Sequence, residues 1–319
     1  MQAVGQKIVV LGTGGTIAGL AQGTTAGRYR AAQKSVDELL VGVAVPTGVR
    51  VQVEQVAQID SKDMDLTVWQ ALLRACRAHL DQADVRGLVI THGTDTLEET
   101  AWLLQALLAP HKPVVLTCAM RPADAPDADG PRNLADALAV AADPDASGVL
   151  AVCAGRILGA QEVQKVHSSW LDAFSSGEAG DIGRVQASRV QWLRDRPVST
   201  PRAALESVLA ATALPRVEIV LSHAAASGAA VDALVDPDTA VRHGAASVRG
   251  LVLAGTGSGT LHREIEAATQ RAQAAGVRVV RSTRCADGWL QPRADDAIPA
   301  LPLSPVKARL ALMLDLLGR

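Results

Sequence analysis

The feature that most restricts what this chain can fold into is a recurring pair: a short, almost wholly apolar run, then a longer segment with one apolar stripe. The runs are KIVVL at 7–11, VRGLVI at 85–90, VVL at 114–116, GVLAVC at 148–153, VEIVL at 217–221, VRGLVL at 248–253 and VRVVR at 277–281. Such runs read as strands buried on both faces of a mostly parallel sheet, because a half-solvated strand alternates polar and apolar residues. The stretches 66–80, 98–107, 132–142 and 263–275 repeat their apolar residues at helical spacing. Strand and helix in alternation predict an α/β fold built from doubly wound sheets.

With 319 residues, the chain is about twice a usual domain. The segment 187–215 contains RDRPVSTPR, with two prolines and several charges, and reads as a linker. It would join a larger N-terminal domain, 1–186, to a smaller flavodoxin-like one, 216–319. The second domain closes with a helix at 306–317, introduced by Ser304 and Pro305 as cap and first-turn residue.

Composition removes several function classes. Hydrophobic residues are 48% and charged ones 20%, which excludes a disordered chain. The net charge is −2, and the longest basic stretch, 28–34, is interrupted by Ala31 and Ala32, so no nucleic-acid partner is expected. Cys76, Cys118, Cys153 and Cys285 lie far apart and no H-x-x-x-H occurs, which predicts neither a disulfide framework nor a metal site. No apolar run approaches the roughly 18 residues of a membrane helix. The N-terminus lacks a leader pattern, so a cytoplasmic protein is expected, or a periplasmic one if a signal peptide was removed.

In open α/β sheets ligands bind beyond the carboxyl ends of the strands. After the first run comes GTGGTIAG at 12–19, which fails as a dinucleotide fingerprint (Ile17 stands where a glycine is needed) and as a phosphate loop. A tight turn with a threonine cap is its plain reading. After the second run comes THGTDTLEET at 91–100. Thr96 and Glu99 read as a capping box, leaving Thr94 and Asp95 on the turn before it, a hydroxyl beside a carboxylate. His92 reads as a hydrogen-bonded structural residue.

TGGTIAG at 13–19 together with THGTDTLEET resembles the two signature segments of the bacterial L-asparaginase family, and the likeness runs through nearly the whole chain. Asp60-Ser61-Lys62-Asp63-Met64 resembles the family's substrate-carboxylate loop. AMRP at 119–122 with DGPRNL at 129–134, Val163-Gln164-Lys165, and SPVKARLAL near the C-terminus also match. The resemblance implies hydrolysis of L-asparagine to L-aspartate and ammonia through an acyl-enzyme, with no cofactor. It implies Thr16 as nucleophile and Tyr29 as its activator on a flexible lid. Thr94, Asp95 and Lys165 form the second catalytic group. Gly15, Ser61, Ala119, Asp95 and Thr94 contact substrate, and Thr260 does so from a neighbouring copy. The implied assembly is a homotetramer of intimate dimers. A hydroxyl needs such neighbours, since threonine is a poor nucleophile unless a nearby group takes its proton.

Two positions depart from the family pattern. Lys62 stands where many members carry Gln, and no glutamate occurs in the stretch 285–296, where members carry a cross-subunit acidic residue. Asp287, Asp295 and Asp296 are the candidates to replace it. Lys62 either pairs with Asp60, Asp63 or Asp95, or reaches the substrate's α-carboxylate beside Ser61, or points to solvent. The same fold also serves a broad glutaminase-asparaginase or a silent amino-acid sensor; the retained threonines and lysine weigh against the sensor.

Overall fold

The computed structural model describes residues 6–22, 29–196 and 200–318. It divides into two compact units, Met1–Arg202 and Ala203–Arg319. Residues 1–5, Arg28 of the basic stretch and 197–199 of the expected linker lie outside the described residues.

In the first unit the strands are β1 (Gln6–Gly14), β2 (Leu20–Ala21), β3 (Tyr29–Arg30), β4 (Val49–Ile59), β5 (Val85–Thr91), β6 (Val114–Thr117), β7 (Val149–Cys153), β8 (Arg156–Gly159), β9 (Gln164–Lys165), β10 (Phe174–Ser175), β11 (Gly183–Gln186) and β12 (Arg189–Trp192). Its helices are α1 (Val36–Leu39), α2 (Leu66–Leu80), α3 (Leu97–Leu108) and α4 (Gly130–Ala142). The main sheet runs β12-β11-β8-β7-β6-β5-β1-β4. The five strands from β7 to β4 are parallel, and β8, β11 and β12 are antiparallel additions. Ile8, Val10, Val89, Val115, Leu150 and Val152 form one face, packed on Leu134, Ala137, Leu138 and Ala141 of α4. Alternation sends Val9, Leu11, Leu88 and Ile90 to the other face, also fully buried, where α2 and α3 lie.

The second unit holds α5 (Leu205–Ala210), β13 (Val217–Leu221), α6 (Ala229–Val235), α7 (Pro237–Arg242), β14 (Gly250–Gly255), α8 (Arg263–Ala274), β15 (Arg278–Thr283) and α9 (Pro305–Leu317). Its sheet, β13-β14-β15, is parallel, with α6 and α8 on one face and α9 on the other. Residues 187–215, expected as a linker, instead contain a strand of the main sheet, β12, and a helix, α5; the division falls between Arg202 and Ala203. The polar residues of β12, which a short edge strand tolerates, disguise it in the sequence. Thr96 is not half of a capping box either. It precedes α3, but its hydroxyl donates to the Ser61 carbonyl at 2.7 Å and makes no cap bond to the helix.

The carboxyl ends of β1 and β5 meet through glycines. A Cβ built on Gly15, whose φ is +81°, would lie 2.4 Å from the Gly93 Cα and nitrogen. A Cβ on Gly93 would lie 2.4 Å from the Ser61 Oγ. His92, beside them, is fully buried: its Nδ1–H donates to the Gly93 carbonyl at 2.8 Å, and Nε2 has no partner among the described residues. Burial lowers its pKa to about 4, and the Gly93 bond only partly opposes that.

Gly15→Ala is expected to destabilise the fold by at least about 2 kcal/mol, from a left-handed Cβ plus backbone overlap. Gly42→Ala, with φ +77° but nothing within 4 Å, carries the conformational cost alone and should lose clearly less. Urea midpoints of the two variants compare these directly. For His92 the folded value lies below the unfolded one near 6.5, so its contribution is complete above pH 6.5 and is lost as pH falls towards 4. The loss totals about 3 kcal/mol. Urea titrations at pH 7 and pH 4.5 should show that His92→Asn, which keeps a donor for Gly93, loses much less stability on acidification than the wild type.

Candidate active site

The glycine contact places the next residue of each segment. Thr16 and Thr94 each come one residue after the touching pair Gly15 and Gly93, so two buried hydroxyls are delivered to the same end of the sheet. Gly15 is fixed by its N–H donating to the Ile59 carbonyl at 2.9 Å and by its carbonyl accepting from Ala32 N–H at 3.0 Å. Thr16 then opens a single 3-10 turn, Thr16–Ala18. Its hydroxyl is not a cap: it donates to the Tyr29 Oη at 2.9 Å. Tyr29 sits on β3, which pairs with β2 as a two-strand ribbon, and it is 38% exposed.

Lys165 lies on β9, paired with Phe174 of β10, and is not the helix lysine of a solvated surface. Its ammonium donates to Thr94 Oγ1 at 2.8 Å and to Asp95 Oδ1 at 2.6 Å. Thr94 is buried, while the Asp95 side chain is half exposed, so the carboxylate holds the lysine from the solvent side. Two contacts that the sequence does not disclose steady the lysine. Its N–H donates to Glu98 Oε1 at 3.2 Å, and Arg156 of β8 grips the opposing strand by donating to the Phe174 carbonyl at 2.6 Å. Arg156 is itself anchored by Asp181 at 2.7 Å and Asp172 at 2.9 Å.

Ser61 is buried on the turn after β4, beneath Gly93. It does not cap α2, since Asp65 does that by accepting from Val68 N–H at 2.9 Å. Of the three carboxylates offered to Lys62, two take it: Asp63 at 2.6 Å and Asp60 at 3.3 Å. These pairs, Asp63 foremost, keep the Lys62 ammonium charged to higher pH than an isolated lysine. Its side chain is 59% exposed, so the charge is balanced but reachable from solvent.

Ala119 follows β6 and is buried. The loop it begins is shaped by Asp129 and Asn133, both from the DGPRNL segment. Asp129 makes no cap bond to α4; its carboxylate accepts the N–H groups of Met120 and Arg121 at 3.0 and 2.9 Å. Asn133 donates to the Cys118 carbonyl at 3.0 Å and accepts from Ala154 N–H at 3.0 Å, tying the ends of β6 and β7. An aspartate before Gly-Pro would ordinarily be taken for a cap, so only the three-dimensional arrangement reveals its use.

The first unit thus gathers Gly15, Thr16, Tyr29, Ser61, Lys62, Thr94, Asp95, Ala119 and Lys165 at the carboxyl ends of β1, β4, β5 and β6. Thr260 belongs to the second unit, on the turn after β14, where its hydroxyl lies 2.8 Å from that of Thr256. Asp296 is ruled out as a free acidic group, because it is bound to Arg281 and accepts from Arg293 N–H at 3.1 Å. Among the described residues no group of three His, Cys, Asp or Glu side chains is arranged to hold a metal, and no helix is long and apolar enough to cross a membrane.

The family "Asparaginase, N-terminal" matches residues 7–198, and "Glutaminase/Asparaginase C-terminal domain" matches residues 216–318. The probable periplasmic L-asparaginase of Haemophilus influenzae is 36% identical over 97% of this chain and 88% of its own. L-asparaginase 2 of Escherichia coli is 35% identical over the same shares. The glutaminase-asparaginase of Pseudomonas fluorescens biotype A is 34% identical over 97% of this chain and 86% of its own. In three dimensions the chain superposes on the crystal structure of a probable cytoplasmic L-asparaginase from Campylobacter jejuni with a TM-score of 0.86 at 35% identity, covering 98% of this chain and 96% of that one. From the first strand to the last helix, therefore, this chain belongs to the asparaginase family.

Proposed function

We propose that this protein is an amidohydrolase that converts L-asparagine to L-aspartate and ammonia through a threonyl acyl-enzyme. Thr16 Oγ1 attacks the side-chain amide carbon as its proton moves towards Tyr29 Oη, to which it already donates. The C–N bond breaks as the phenol passes a proton on to the amide nitrogen, which leaves as ammonia. Water then attacks the acyl carbon, one of its protons returns to Thr16 Oγ1 as the ester bond breaks, and aspartate is released. The Lys165 ammonium, pressed on the Thr94 hydroxyl, favours the deprotonated form of that oxygen, and Asp95 balances the lysine charge. Main-chain N–H groups around Thr94 stabilise the oxyanion, with the Ala119 carbonyl at the amide nitrogen. Ser61 and Asp95 receive the α-carboxylate and α-ammonium. The observation that carries this reading is the pairing of two activated hydroxyls, one bonded to a phenol and one to a lysine, on either side of a glycine contact.

Within this reading the functional unit is a homotetramer of intimate dimers, with Thr260 of a neighbouring copy approaching the substrate. Asparagine is the preferred substrate, and glutamine is the comparison that tests preference, since relatives of both names stand at similar identity.

Purified protein should release ammonia from L-asparagine, and Thr16→Val and Thr94→Val should each lower kcat by at least about a thousandfold with unchanged unfolding midpoints. The size follows from loss of a nucleophile or its proton path. Near-normal turnover in a folded variant would remove that threonine from the mechanism.

Lys62→Gln is expected to raise KM for L-asparagine by about threefold to tenfold at constant kcat, because the variant leaves Asp60 and Asp63 unbalanced beside the incoming α-carboxylate. Against the α-amide of asparagine, which lacks that carboxylate, KM should stay within about twofold. Equal effects on both substrates would show that Lys62 acts through loop structure rather than charge.

A further inference from the structure

We propose that Cys118 and Cys153 are an oxidisable pair whose disulfide joins β6 to β7 beside the active site and slows turnover. The two sulfurs lie 3.0 Å apart, and both residues are buried, at 2% and 4% exposure. The backbone dictates this proximity. Thr117 and Val152 are register partners in parallel strands, so Cys118 and Cys153 are the next residues on each side. Neighbouring strands stand about 4.8 Å apart, within the Cα spacing that disulfides span.

Both ends are already held. Asn133 ties the Cys118 carbonyl to the Ala154 N–H, bracketing the thiols with a non-covalent bridge. On the other side Ala154 and Gly155, with φ of +51° and +74°, make the tight two-residue turn from β7 into β8 that fixes Cys153. Bond formation therefore orders little chain that is not ordered already, and needs a contraction of about 1 Å to reach the usual S–S length.

Hydrogen peroxide, close to water in size, is the class of oxidant suited to a buried pair. One thiolate sulfur attacks a peroxide oxygen, the O–O bond breaks, and hydroxide leaves and takes up the released proton, giving a sulfenic acid and water. The second sulfur then attacks the sulfenic sulfur; the S–S bond forms, the S–O bond breaks and a second water departs. Two thiols lose two electrons and two protons, and one peroxide becomes two waters. The contact with Cys153 and burial hold the Cys118 thiol well above its ordinary pKa, so the reaction should be slow at neutral pH and quicken as pH rises.

The consequence for catalysis runs through one peptide bond. Ala119, the proposed neighbour of the leaving amide, directly follows Cys118. Drawing Cys118 towards Cys153 strains the bond from Asn133 and shifts that carbonyl, and catalytic geometry is sensitive to displacements of this order. The activity part of the inference rests on the amidohydrolase reading; the cross-link does not.

The test uses the full-length Cys285→Ser protein, which lacks the exposed thiol. After hydrogen peroxide treatment, remaining thiols are alkylated in denaturant and the peptides mapped. A Cys118–Cys153 cross-link is expected, with Cys76 still alkylated, together with a fall in kcat of about fivefold or more that dithiothreitol reverses. Cys153→Ala and Cys153→Ser should each abolish the cross-link and the reversible loss. Absence of the cross-link, or oxidation of Cys118 alone, overturns the proposed pair. A complete cross-link with unchanged kcat overturns its coupling to the site. Absence of ammonia release before oxidation would count against the amidohydrolase reading and leave the peptide map to decide the thiol chemistry.

Discussion

The site depends on the absence of two Cβ atoms. Strands in a sheet keep about 4.8 Å between them, but beyond their ends nothing enforces approach. Gly15 and Gly93 let the main chains following β1 and β5 come together more closely than any side chain allows, and Ser61 packs beneath Gly93. Each glycine carries an entropic cost of about 0.5–1 kcal/mol relative to alanine. The buried apolar strands beneath offset it, since Ile8, Val9, Val10, Leu11, Leu88, Val89 and Ile90 are all fully enclosed. A rigid apolar sheet therefore supports a close polar contact, and the hydroxyls of Thr16 and Thr94 inherit their relative placement from it.

Charge at this end of the sheet is arranged in local pairs. Lys165 is matched by Asp95, and Lys62 by Asp63 and Asp60. Each pair keeps one member near solvent, which avoids the heavy desolvation of a fully buried ion pair. His92, the titratable group at the centre of the glycine contact, is kept neutral instead. With its single proton committed to the Gly93 carbonyl, it has no acceptor for a second among the described residues. A charge there would have no partner, whereas those on the lysines do.

The parallel strands and long helices are legible in the sequence because burial on both faces leaves an unbroken apolar run, and helices 66–80 and 263–274 carry clear stripes. β4 escapes that reading although Val49, Val51 and Val53 alternate with polar residues; as an edge strand it is only half buried, and a search for all-apolar runs passes over it. β8, β11 and β12 are four-residue additions too short to have a period. Thr16, Thr94 and Asp95 are legible through motifs, because Gly15 and Gly93 stand beside them with a backbone reason to be there, whereas Lys165 is legible only through the family likeness of Val163-Gln164-Lys165. Thr96 misleads as a capping residue, and Asp129, which stands before Gly-Pro, is a cap by type alone. Cap-like residue types advertise a local partner, and here their oxygens serve a distant loop instead.

That diversion of polar groups explains how loops at this end of the sheet hold their shape with so few aromatic side chains to pack them. Asp129 gathers the N–H groups of Met120 and Arg121, Asn133 links Cys118 to Ala154, and Thr96 holds Ser61 by its carbonyl. Each of these side chains satisfies main chain that a loop would otherwise surrender to water, and each does so from the start of a helix packed on the sheet. The helices α3 and α4 are thus more than cover. Their N-terminal residues reach over the strand ends and pin the turns that carry Ser61 and Ala119. Preorganisation of this kind costs nothing at the moment of reaction, because the dipoles are already oriented before a substrate arrives. It also means that the chemistry of the site is sensitive to residues that touch no substrate, with the buried amide of Asn133 foremost among them.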